Sequence, residues 1–155
     1  MTDGVSAIRG PLIYCRDDPF LTDPVRAFVH EPDGLVICRN GMIEAVGSYA
    51  ALHSTLPPNA DFADHSGCLI APGFIDTHVH YVQTGIIGAQ GLQLLDWLTR
   101  YTFVAEEAFA DPAVARDTAR VFCDELLRQG TTTALVFCSV HVDSVDALFV
   151  EAQKR

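Results

Sequence analysis

The stretch "PGFIDTHVHYVQT" (Pro72–Thr84) decides how the chain is read. An apolar run opened by Pro-Gly ends in two histidines one residue apart, His78 and His80. In an extended strand the side chains at i and i+2 project to one face, so both imidazoles point the same way and Asp76 shares their side. Two neutral imidazoles side by side suit a divalent metal such as Zn²⁺ or Fe²⁺. They also suit the solvated end of an ordinary strand, and an HxH pair alone does not choose between the two.

Beyond this strand the pattern alternates helix and strand. "GAQGLQLLDWLTRYTF" (88–103) has helical spacing, with Leu94, Leu95 and Leu98 on one stripe. "DPAVARDTARVFCDELLRQG" (111–130) is the clearest helix: Asp111 is an N-cap, Pro112 fits the first helical position, and Gly130 fits the stop. Its apolar stripe is Ala115, Ala119, Phe122, Cys123 and Leu126. "TTTALVFCS" (131–139) reads as a strand buried on both faces, and a last helix starts near His141, with Val145, Leu148, Phe149 and Ala152 as its stripe. Strand-helix-strand-helix of this kind predicts a parallel α/β architecture. In a parallel barrel the active site lies at the C-terminal ends of the strands, where His78 and His80 stand. Such a barrel needs about eight βα units. This chain supplies about two, so it is expected to stop inside the fold and to be part of a longer protein.

Residues 1–70 have a different texture, rich in Pro, Gly and short alternating runs. Glu31-Pro-Asp-Gly34 and Arg39-Asn-Gly41 are turn signals between strands, which predicts a small antiparallel β unit. "SYAALHSTLP" (48–57) predicts a short helix capped by Ser48 and stopped by Pro57. Residues 1–70 and 71–155 are therefore expected to form separate domains.

The formal net charge is −10, with no basic patch, which argues against nucleic acid and against anionic membrane surfaces as partners. The apolar runs are too short and too broken for a membrane-spanning helix, and "MTDGVSAIRG" lacks the form of a signal peptide. The five cysteines are Cys15, Cys38, Cys68, Cys123 and Cys138; none forms a CxxC clip, so buried free thiols in a reducing compartment, the cytoplasm, are expected.

The string "APGFIDTHVH" (71–80) resembles the signature of the amidohydrolase superfamily. The longer stretches 80–112 and 122–149 resemble its guanine deaminase branch, through "LLDWL", "YTF" and "QGTTTALVF". Val82 and Val104 stand where that branch usually has Pro, and Gln90 and Leu92 replace a Tyr and a Glu around Gly91.

The resemblance implies the start of a (β/α)8 TIM-type barrel, preceded by the N-terminal part of a small β-sandwich. It implies that His78 and His80 bind the catalytic metal, Zn²⁺ or Fe²⁺, and that Gln83 reaches a small-molecule purine, with His80 beside it. The implied reaction, part of purine catabolism, is hydrolysis of guanine to xanthine and ammonia by a cytoplasmic homodimer. The family's proton-shuttling Glu, its metal-bound Asp and two further His are expected beyond Arg155, so the isolated chain is expected to be inactive. Two alternatives stay open: another deaminase of the superfamily, acting on cytosine, a triazine or an adenosine-like compound, and a non-catalytic module.

Other residues are expected to be structural or peripheral. Asp76 either orients a ligand histidine or satisfies a neighbouring backbone amide. Trp97, Phe103 and Phe109 are expected to pack. His141 is expected to start a helix, and Glu106 and Glu107 to form a solvated face. His30, His53 and His65 lie in the β unit.

Overall fold

The computed structural model describes residues 4–89 and 91–155, and the mixed α/β chain divides into two compact units that meet at Pro72 and Gly73. The first unit contains β1 (Val5–Cys15), α1 (Pro24–Ala27), β2 (Phe28–Arg39), β3 (Met42–Ser48), α2 (Tyr49–Leu52) and β4 (Asp61–Asp64). The strands form one sheet in the order β3-β2-β1-β4, antiparallel except that β4 runs parallel to β1. Val5 and Ala7 of β1 and Leu35 and Ile37 of β2 alternate onto one face and are buried there. The turn at α2 covers them with Tyr49 and Leu52. Arg9 ties neighbouring strands together: its guanidinium takes both oxygens of Asp33 at 2.7 and 3.0 Å and lies 3.9 Å over the Tyr49 ring. The same guanidinium holds the Asp33 carboxyl below the usual range.

The Asn-Gly signal behaves as expected. Arg39 pairs with Met42, and Asn40 and Gly41 both take positive φ (52° and 79°), the two-residue hairpin turn that follows strand twist. The signal at Glu31–Gly34 does not. β2 runs straight through it, and the pairing jumps from Gly10/Gly34 to Leu12/Glu31. The one extra residue of β2 is absorbed as a bulge opposite Pro11, which has no N–H to give to a regular ladder. Ser48 stands at the start of α2 but its side chain makes no capping bond.

The second unit contains β5 (Phe74–His80), a 3-10 turn over Tyr81–Ile86, and a helical stretch made of α3 (Leu94–Trp97), a π-helical segment (Leu98–Thr102) and α4 (Phe103–Glu107). Then follow α5 (Pro112–Arg128), β6 (Thr131–Phe137) and α6 (Val142–Ala152). β5 and β6 pair in parallel. The Asp111 carboxylate accepts from the Ala113 amide at 2.8 Å, Pro112 opens α5, and Gly130 ends it with φ at 82°. The core joins Ala115, Ala119, Phe122 and Cys123 of α5 to Tyr81, Val82, Phe109, Ala147 and Leu148.

Three expectations change. β6 is not buried on both faces; Leu135 and Phe137 are exposed, and among the described residues β6 pairs only with β5. Leu94 and Leu95 are likewise exposed. The face that α6 buries is Ser144, Ala147, Leu148 and Glu151, one step round from the apolar stripe, while Phe149 is exposed. Polar groups can occupy that face because they are paired: the Ser144 hydroxyl donates to the His141 carbonyl at 2.8 Å, and the Glu151 carboxylate meets Arg155 at 3.0 Å.

Asp111→Ala is expected to cost about 1 kcal/mol, the usual value of a lost N-cap, and Asp111→Asn to recover most of it. Urea denaturation of the three forms at one pH measures this.

Candidate active site

β5 carries His78 and His80 to the C-terminal end of the strand pair. Between the pairs Asp76/Ala134 and Val79/Val136 the chain advances three residues on β5 and two on β6, so a bulge sits at Thr77–His78. Asp76 stabilises it: its Oδ1 accepts from the His78 backbone amide at 3.0 Å. Of the two roles considered for Asp76, this contact is the backbone one.

The two rings converge beyond the bulge. Nε2 of His78 and Nε2 of His80 lie 3.2 Å apart. Phe137, at the end of β6 and paired in register with His80, packs against both, with centroids 4.7 Å from each ring. Two imidazole nitrogens bound to one tetrahedral zinc at about 2.0–2.1 Å are about 3.4 Å apart, so the separation within the pair matches that of two ligands of one metal. Among the described residues no group of three or more His, Cys, Asp or Glu is close enough to hold an ion. The pair offers two donors where a tetrahedral site takes four.

The histidines line a cleft of about 490 Å³ whose wall includes Gln83, Ile86 and Trp97. Gln83 therefore shares a cleft with both imidazoles. Its Nε2 donates to Oε1 of Glu106 on α4 at 3.3 Å. Glu106 is accordingly not part of a solvated face; it is half-buried and partnered, whereas Glu107 is exposed. A second hollow of about 350 Å³ is lined by Phe103, Glu106, Glu107, Ser139 and His141. His141 stands at the N-terminal boundary of α6, where its amide donates to the Ser139 hydroxyl at 3.3 Å. Phe109 packs edge-on against Tyr81, but Trp97 lines the cleft and Phe103 the second hollow, so neither belongs to the buried core. His30, His53 and His65 are exposed residues of the first unit. Gln90 lies outside the described residues.

The residue after His80 is the anchor that composition did not reveal. Tyr81 is fully buried, and its hydroxyl donates to the Ser144 carbonyl at 2.5 Å. Burial pushes that hydroxyl up to about 12, and burial likewise raises the Cys138 and Cys123 thiols, which marks them as inert. All five cysteines are free, but Cys15 and Cys68 are exposed rather than buried.

A model of the amidohydrolase family matches residues 69–155, more than half of the chain. The chain belongs to the amidohydrolase family. Guanine deaminase of Escherichia coli strain K12 is 46% identical over 151 residues, which is 96% of this chain and 34% of that protein. The solved E. coli guanine deaminase superposes with a TM-score of 0.89 at 40% identity, covering 96% of this chain and 35% of that one. Guanine deaminase of C. acetobutylicum, solved with guanine in its active site, gives 0.77 at 28% identity, covering 97% of this chain and 34% of that one. This amidohydrolase chain spans about a third of the length of the curated relatives it matches.

Because the folded state holds the Tyr81 proton more tightly than the unfolded chain, its contribution is complete below the ordinary tyrosine value of 10.0 and is lost as pH rises towards about 12. Melting curves are expected to drop across that window in the native protein and to drop less in Tyr81→Phe, which at neutral pH loses about 1 kcal/mol for the missing hydrogen bond.

Proposed function

We propose that the chain is the metal-binding N-terminal portion of a guanine deaminase, which hydrolyses guanine to xanthine and ammonia. The observation that carries this is the His78–His80 pair, 3.2 Å apart and sharing a cleft with Gln83, in a chain 46% identical to a guanine deaminase over almost its whole length. In this proposal β5 and β6 are the first strands of a parallel barrel, and the four-stranded sheet is part of a β-sandwich. Two further His, an Asp and a proton-shuttling Glu would come from later strands of a polypeptide as long as the relatives. The enzyme is proposed to be cytoplasmic and homodimeric, as the family resemblance implies.

His78 and His80 would hold a divalent metal, Zn²⁺ or Fe²⁺, through Nε2. Such a metal supplies a Lewis acid and a water acidified towards neutral pH. The chain's own residues supply position. Phe137 supports both imidazole planes and limits their rotation. Trp97 and Ile86 give the cleft an apolar wall for the flat face of a heterocycle, while the Gln83 amide offers hydrogen bonds to its edge. Overall, water adds at the carbon bearing the exocyclic amine, that C–N bond breaks, and the nitrogen leaves as ammonia.

The full-length protein is expected to release equal amounts of xanthine and ammonia from guanine, to lose activity on chelation, and to regain it with Zn²⁺ or Fe²⁺. His78→Ala and His80→Ala are each expected to lower bound metal and activity by more than the ~100-fold typical of a lost outer-shell partner. Ammonia from cytosine, a triazine or an adenosine-like compound, with none from guanine, would overturn the substrate. Bound metal with no turnover of any of these would overturn the enzyme in favour of a binding module.

A further inference from the structure

We propose that Glu106 is a positioning residue that fixes which end of the Gln83 amide faces the cleft. It thereby makes Gln83 an acceptor for an N–H group of the substrate heterocycle. This rests on the deaminase proposal above and names the edge of the ligand that the cleft selects.

A glutamine amide is pseudo-symmetric in shape and opposite in chemistry at its two ends, so an unpartnered one can turn either end to a ligand. Gln83 is not unpartnered. The Glu106 carboxylate only accepts, so the group it binds must be the Gln83 amine end, 3.3 Å away. Oε1 is then the end left for the cleft, together with one remaining N–H. The base of this arrangement is also held. Gln83 follows Tyr81 on one 3-10 turn, the Tyr81 hydroxyl is bound to the Ser144 carbonyl, and the Thr84 hydroxyl donates to the Tyr81 carbonyl at 2.6 Å. Both partners are half-buried, which strengthens a charge-assisted bond relative to an exposed one.

Glu106 lines the second hollow, whereas Gln83 lines the cleft with the histidines. Its carboxylate therefore acts through Gln83 and not on a ligand in the cleft. The ligand edge that fits is a ring N–H or amine N–H, with room for an adjacent acceptor to take the second amide proton. Heterocycles carrying only ring acceptors at that edge would meet Oε1 with no proton to share, which disfavours them.

Glu106→Gln is the test, because it conserves size and replaces an obligate acceptor by a group that can pair with either end of Gln83. In the full-length protein, Glu106→Gln is expected to raise KM for guanine about tenfold with kcat within about twofold, the scale of one hydrogen bond made in the bound state. Preference for guanine over its singly N-methylated forms should fall by the same factor at the position Gln83 reads. Glu106→Asp, which keeps the acceptor, should restore most of that preference. Unchanged KM and unchanged preference in Glu106→Gln, with an unchanged melting curve, would overturn the proposal.

A ligand-free readout separates this from the function itself. In ¹⁵N-labelled protein the Gln83 side-chain amide should show one proton shifted downfield and protected from exchange, and Glu106→Gln should reduce both the shift and the protection. If the native protein leaves guanine untouched, the proposed function fails, while the amide signal still decides whether Glu106 orients Gln83. A Gln83 amide with both protons at ordinary shifts and unprotected in the native protein would overturn the positioning role whatever the activity.

Discussion

The parallel pairing of β5 with β6 sets His80 beside Phe137 and leaves both histidine rings packed on one aromatic face. That register has to be exact to a residue, since a slip by one would turn a strand's side chains to the opposite face. It is held from both ends. At the start, the Phe74 amide donates to the Gly130 carbonyl at 2.8 Å, where α5 hands over to β6. At the finish, Tyr81 enters the core and its hydroxyl reaches the first turn of α6. The polypeptide between these points has little freedom left, so the bulge at Thr77–His78 and the convergence of the two imidazoles follow from the strand's boundary conditions rather than from attraction between the rings.

A good part of this was legible in the sequence because it depends on short-range chemistry. The shared face of His78 and His80 follows from strand periodicity, the Asn40-Gly41 hairpin from the positive φ it demands, and the ends of α5 from Asp111, Pro112 and Gly130. The misses have a common physical cause. Glu31-Pro-Asp-Gly34 has the composition of a turn, yet β1 offers Pro11 opposite it, and a bulge resolves the mismatch with no reversal of the chain. On α6 the buried face is set by which polar groups find partners, and partners are a tertiary fact: Ser144 is buried because the carbonyls and hydroxyls around it are bonded, while the more apolar Phe149 stays outside. Phe137 read as core and lies instead beneath the histidines, because pairing across strands, not position within β6, decides its neighbours.

The exposed apolar side chains of β5 and β6 belong to the same account. Phe74, Ile75, Leu135 and Phe137 are all exposed and lie outside the buried cluster. A two-stranded parallel sheet with one face open is an uncommon end state, since parallel sheets ordinarily carry cover on both sides. The His pair has the matching deficiency: two good donors with suitable spacing, and no third among the described residues. Further strands beside β5 and β6, as in the proposed barrel, would cover the apolar side chains and bring further donors to the same strand ends in one step.

The polar pairing of Gln83 with Glu106 shows why site chemistry is harder to anticipate than site position. The place of Gln83 near the histidines follows from chain continuity, three residues past His80 on one tight turn. What its amide would recognise depends, in the proposal, on a carboxylate 23 residues away, on a helix whose own pattern gives no hint of a half-buried acceptor. Of the two adjacent acids, Glu106 faces the turn and Glu107 faces solvent, a difference of about 100° around the helix that spacing from a distant glutamine does not encode. A single carboxylate acceptor with no donor of its own removes one of the two orientations open to the amide. On the proposed reading, selectivity at this edge of the cleft would be a property of the pair, with the histidines placing the ligand within reach of Gln83.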